Sequence, residues 1–182
     1  MRPCAHLLIS AAHVEWLTGT VRLDGCRAEP IHKKKSGNVV PSTFSAPTRN
    51  LDVVTLHEIL RLRQDVFVVE QACAYDDIDG RDLEPGTVQF WAGSGSVDAT
   101  LRLLREPDGT ERIGRVATAA HARGKGLGAA LMQAAIAESR SERISINAQA
   151  HLGEWYAQFG FVRSGEDFLE DAIPHTPMVR AR

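Results

Sequence analysis

No apolar run in the 182-residue chain is long enough to cross a membrane; the run at residues 7–12 is short and is broken by His13 and Glu15. It makes a poor secretory signal as well, so neither export nor membrane insertion is expected. Cysteine is scarce and odd in number. Cys4, Cys26 and Cys73 lack C-x-x-C spacing, which argues against a disulfide framework or a zinc site and for a reducing, cytoplasmic setting. His121, His151 and His175 are too scattered for a ligand pattern, so no metal is expected. There is no internal repeat. Two familiar nucleotide motifs are also missing. Gly126 follows Lys125 where a P-loop needs Ser or Thr, and Gly124, Gly126 and Gly128 run G-x-G-x-G instead of G-x-G-x-x-G. ATP and NAD are therefore disfavoured.

What is present suits one domain with a real core. Hydrophobic residues make up 43% and charged residues 24% of the chain. Residues 1–49 carry seven Lys/Arg against three Asp/Glu, and the remainder fourteen against twenty. An acidic body argues against nucleic acid and suits cationic or amine substrates. Residues 25–47 lack a sustained period and include Lys33, Lys34 and Lys35, a run that reads as a solvated tail. The expected division is a poorly ordered extension over residues 1–46 and a folded domain over residues 47–182.

The densest signal is "HARGKGLGAALMQAAIAES", residues 121–139. Leu127, Ala130, Leu131, Ala134 and Ala135 recur on one helical face, predicting a helix over residues 126–139. Its N-terminus combines unpaired N–H groups with the positive end of the helix dipole, a position where Arg123 and Lys125 are misplaced unless something negative binds. Gly124, Gly126 and Gly128 let backbone amides converge on it, so a phosphate-bearing ligand is the expected occupant. A glycine-softened turn with two solvated cations is the plainer alternative.

Around this unit, Asn50 or Asp52 can cap a first helix bearing Leu56, Ile59, Leu60 and Phe67, with Thr55 and Glu58 as a capping box. "VQFWA", "VDATLRLL" and "RIGRVAT" read as strands, the first two joined across "GSGS". "RISINAQA" is a further strand, "HLGEWYAQFG" a short helix ended by Gly160, and "FVRSGEDF" and "IPHTPMVR" two final strands. Together these predict an α/β or α+β domain with a mixed sheet flanked by helices.

In that order the segments resemble the GNAT superfamily of acyl-CoA-dependent N-acetyltransferases. "VATAAHARGKGLGAAL" is similar to its strand-to-helix signature, with Arg123, Gly126 and Gly128 as Arg-x-x-Gly-x-Gly, and "YAQFGF" to its Tyr-x-x-x-Gly-Phe ending, with Tyr156, Gly160 and Phe161. "LRLRQDVFVVEQ", "YDDIDGRDL", "IGRV", "AQAHL" and "DAIPHTPM" resemble the ElaA-like branch. The resemblance implies a single domain with a mostly antiparallel central sheet and acetyl-CoA as co-substrate. It also implies that the amides of Gly124, Lys125, Gly126, Leu127, Gly128 and Ala129 receive the pyrophosphate, with Arg123 adding charge. The pantetheine arm would lie along Val116 and Thr118, the Val116 amide would polarise the thioester carbonyl, and Asn147 is a further cofactor contact.

Acyl transfer to an amine also needs a proton donor for the leaving thiolate and a base. Tyr156 matches the family's donor position, and a phenol is protonated at neutral pH; a half-buried tyrosine closing the core is its plainer reading. Glu70 is the candidate base, against an ion pair with Arg115. Asp76, Asp77 and Asp79 could attract a cationic acceptor or simply be solvated, and His151 and His175 are secondary base candidates. Cys73 reads as an inert thiol, because direct transfer needs no acyl-enzyme. The expected activity is acetyl transfer from acetyl-CoA to a primary amine of a small molecule or protein, without nucleic acid or membrane and with a homodimer left open. An acyl-homoserine lactone synthase, similar around "RQDVF", and a non-catalytic acyl-CoA-binding module are the rivals.

Overall fold

The computed structural model describes residues 42–182. A first strand, β1 (Thr43–Pro47), already belongs to the sheet. The folded part therefore begins ahead of the boundary expected at residue 47. Residues 1–41, with Cys4, Cys26 and the lysine run, lie outside the described residues.

Helix α1 (Val53–Arg63) starts at Asp52, whose Oδ1 accepts from the N–H groups of Val54 and Thr55 at 3.0 and 2.9 Å. The expected box with Glu58 does not form: Thr55 Oγ1 donates back to Asp52 at 2.6 Å, and Glu58 pairs with Arg61. The helix then widens into a π-type turn over Gln64–Glu70. Val66, Val68 and Val69 are β-branched and crowd a tight α turn, so the wider winding suits this stretch.

Strands β2 (Val88–Ala92), β3 (Ala99–Arg105) and β4 (Glu111–Thr118) form an antiparallel meander with β1. Helix α2 (Leu127–Glu138) crosses over to β5 (Arg143–Gln149), which lies parallel to β4. Helix α3 (Gly153–Ala157), β6 (Val162–Arg163), β7 (Phe168–Glu170) and β8 (Ile173–Ala181) complete the eight-stranded sheet, in the order β1-β2-β3-β4-β5-β8-β6 with β7 also on β8. The single strand expected over "FVRSGEDF" is thus two pieces. Ser164 donates to the carbonyl of Pro177, but Pro177 has no N–H to return, and the ladder stops there.

Strand alternation feeds two clusters on opposite faces of the sheet. Phe90, Leu101, Ile113, Ile144 and Ile146 pack with Leu131, Met132 and Ala135 of α2 and with Tyr156 and Phe161. Trp91 and Ala117, with Val97 from the β2–β3 turn, pack with Ile59, Leu62 and Val66 of the first helix. No helix among the described residues is long and apolar enough to cross a membrane.

Candidate active site

Strand β4 has different neighbours on its two sides. Against β3 it is paired throughout, except that Leu101 faces two residues, Arg115 and Val116, in a bulge. Arg115 there takes φ +54°, a left-handed conformation that costs a side-chain-bearing residue about 1–2 kcal/mol. Against β5 the pairing covers only Glu111 with Ile144 and Arg112 with Ser145, after which the strands diverge. The main chain of residues 114–118 therefore borders a cleft on that side, and Asn147 stands exposed on β5 opposite.

The cleft leads to the loop before α2. Gly124 and Gly126 adopt φ +73° and +79°, a left-handed conformation that glycine enters without strain, and Gly126 caps α2 without a side-chain acceptor. Among the described residues, no backbone carbonyl accepts from the N–H groups of residues 124–129. Gly128 faces Thr118 Oγ1 and the Trp155 ring, so α2 begins close against the end of β4. Unspent amides, a helix dipole and a bordering strand edge fit an extended ligand ending in a phosphate group.

Tyr156, on α3, is buried, edge-on to Trp155 at 4.7 Å and to Phe161 at 6.3 Å. Burial alone pushes its phenol up to about 12. It stays protonated at neutral pH, as a proton donor must.

Residues 91–181 match the family model for the acetyltransferase (GNAT) domain. The chain belongs to the GNAT family. Its ElaA-like character rests on relatives matched over most of their own length. It is 38% identical to the protein ElaA of Escherichia coli over 71% of this chain and 90% of that protein. It is 50% identical to a UPF0039 protein of Mycobacterium tuberculosis over 72% of this chain and 88% of that one. Among solved structures, an acyl-CoA N-acyltransferase from Pseudomonas aeruginosa is 39% identical, with TM-score 0.72 over 78% of this chain and 99% of its own. Escherichia coli ElaA is 33% identical, with TM-score 0.71 over 77% and 99%. This GNAT chain is accordingly an acyltransferase that uses an acyl-CoA co-substrate.

Within the GNAT fold the remaining candidates separate. Glu70 is ion-paired, but to Arg123 at 2.7 Å and not to Arg115. Arg123 also donates from Nε to the Thr118 carbonyl at 3.1 Å, so the π-type turn, the end of β4 and the glycine loop meet at one guanidinium. That hydrogen bond holds the Glu70 carboxyl below the usual range, which keeps it proton-free and makes it a weaker base. His151 is exposed. His175 Nδ1 lies 2.9 Å from the Ile173 carbonyl, and its ring stacks on Phe168. Cys73 is partly exposed, with Sγ 3.8 Å from the Asp171 carbonyl.

In the acidic loop of this GNAT chain Asp76 and Asp79 keep solvent exposure, but Asp77 and Asp79 are both engaged by arginines. Asp77 and Asp82 are buried against Arg63, which has no exposed surface, at 2.9 and 2.8 Å. Arg102 grips both oxygens of Asp79 at 2.8 Å and touches Asp82 at 3.1 Å. Gln89 donates to Asp82 at 2.9 Å, and Tyr75 to Asp77 at 2.8 Å. Burial opposes ionisation of Asp79, but Arg102, then the Arg81 N–H and then Arg115 outweigh it and bring the carboxyl down to about 2. One sequence signal pointed here: Arg63 falls four residues after Ile59 and seven after Leu56, on the apolar stripe, where a cation needs buried carboxylates.

Proposed function

We propose that this chain moves an acetyl group from acetyl-CoA to a primary amine by direct attack in a ternary complex. The observation that carries the reading is the β4–β5 cleft running into the unpaired amides of residues 124–129. When bound, acetyl-CoA supplies an activated thioester carbonyl. The amides of residues 124–129, with Arg123 and Lys125 beside them, receive the pyrophosphate. Val116 and Thr118 hydrogen-bond the pantetheine arm through main chain, and Asn147 lines the opposite wall. The Val116 N–H polarises the carbonyl, a task indifferent to its side chain. Glu70 accepts the amine proton directly or through water, and Tyr156 gives its proton to the leaving thiolate. The acceptor is a small molecule or a protein amine, and the cysteine pattern supports cytoplasmic residence.

A thiol-release screen of amines and peptides with acetyl-CoA tests this. CoA release with at least one amine is the expected result. Binding of acetyl-CoA without release across a broad panel would favour a non-catalytic module, and lactone formed from S-adenosylmethionine and acyl donors would favour a synthase. A second check is Gly126→Val. The left-handed backbone becomes strained by about 1–2 kcal/mol, which corresponds to roughly 5–30-fold weaker CoA binding by calorimetry if the loop yields to relieve it. Unchanged affinity would count against phosphate binding at this loop.

A further inference from the structure

Among the described residues four non-glycines have positive φ, and Arg115 is the one inside a strand of the sheet; Ala72, Asp171 and Ala172 lie between elements. Glycine would take this conformation at no cost. A long cation belongs there only if its side chain holds the backbone in place, and the contacts are of that kind. Arg115 Nη2 donates to Asp79 Oδ2 at 3.1 Å and to the Asp77 carbonyl at 3.3 Å. Its Nε lies 2.8 Å from Asp77 Oδ1, off the N–H axis and so in ionic contact without a hydrogen bond. The guanidinium also sits 5.2 Å from the centre of the Tyr75 ring. Its anchors are themselves fixed, Asp77 by buried Arg63 and Asp79 by Arg102.

We infer that Arg115 is a positioning residue for acyl transfer: pinned to Asp77 and Asp79, it holds the left-handed bulge of β4 that presents the Val116 N–H to the β4–β5 cleft. A bulge leaves one residue outside the regular ladder, so its peptide is oriented by local restraint instead of by a partner strand. The inference rests on the proposed reading of Val116 as the donor to the thioester carbonyl. It gives the acidic loop a part in the chemistry without contact to substrate.

The test uses the full chain, labelled with ¹⁵N, and compares the Val116 amide resonance with CoA and with acetyl-CoA bound. The wild type is expected to show an acetyl-dependent shift, and Arg115→Ala to lose it while retaining affinity for CoA. With the best amine of the panel, kcat should fall about 10²-fold, the scale of losing one oxyanion donor. Arg115→Lys keeps the charge but lacks the planar fork that spans both acids, and should recover part of the shift and part of kcat; it serves also if the alanine variant does not fold. A wild-type shift that persists in Arg115→Ala, or a kcat loss matched by an equal loss of CoA affinity, overturns the positioning role. Absence of the shift in the wild type removes Val116 as the donor and the inference with it, independently of any turnover.

Discussion

Tyr156→Phe should lower kcat by about 10²–10⁴-fold, the usual worth of a positioned general acid, while acetyl-CoA binding stays nearly intact. The substitution removes one oxygen and keeps the ring, so the edge-on packing with Trp155 and Phe161 is preserved. A loss confined to turnover would therefore report the proton and not the fold. The pH profile adds a second sign. A general acid must be protonated to act, and burial raises this phenol to about 12, so kcat should not decline through the ordinary phenol range near pH 10 on account of Tyr156. Full activity in the variant, measured with the amine that releases CoA fastest, would take Tyr156 out of the mechanism.

Asp82→Ala is expected to cost about 3–5 kcal/mol of stability in urea unfolding, because removing one carboxylate leaves the buried network with an uncompensated positive charge. Asp82 meets Arg63, Arg102 and Gln89 together, and Arg63 is wholly enclosed. Arg63 keeps Asp77, but its Nη1 loses its partner at a position with no exposed surface. A loss below about 1 kcal/mol, as at an exposed pair, would contradict this assignment. The same network sets an acid response. The carboxyls of Asp79 and Asp82 are lowered in the folded protein, so their contribution is complete above the unfolded value of 3.8. It drains away as pH falls toward the folded Asp79 value of about 2. Stability should therefore drop between about pH 4 and pH 2, and Asp79→Asn should flatten that drop.

How much of this was legible in the sequence depends on how far apart the interacting residues lie. The glycine loop and α2 are local, and glycine spacing with one helical face is enough to read the turn and the helix. Tyr156 stands out through a short motif, and its burial beside Trp155 and Phe161 follows from neighbours within five residues. The acidic loop was misread because its partners are remote: Asp77 pairs with Arg63 and Arg115, fourteen and thirty-eight positions away. In hydropathy, a buried arginine looks the same as a solvated one. The partner of Glu70 was misassigned to Arg115 instead of Arg123 for a similar reason, since the π-type turn sets the direction of that side chain and leaves no periodic trace. The β4 bulge was equally invisible, because Arg115 at positive φ carries no glycine to mark it.

The divergence of β4 from β5 gives the sheet a third edge, inside it rather than at its margins. The outer edges are open to any chain that can add a strand. The inner one is flanked by β5 and closed at one end by the two residue pairs that still join the strands. A whole polypeptide strand with its side chains is a poor fit for such a slot, whereas a thin amide-bearing arm can take up the same hydrogen bonds. If the donor lies where we propose, it takes up this inner strand edge and completes the sheet as a missing strand would, at a place that aggregation does not reach.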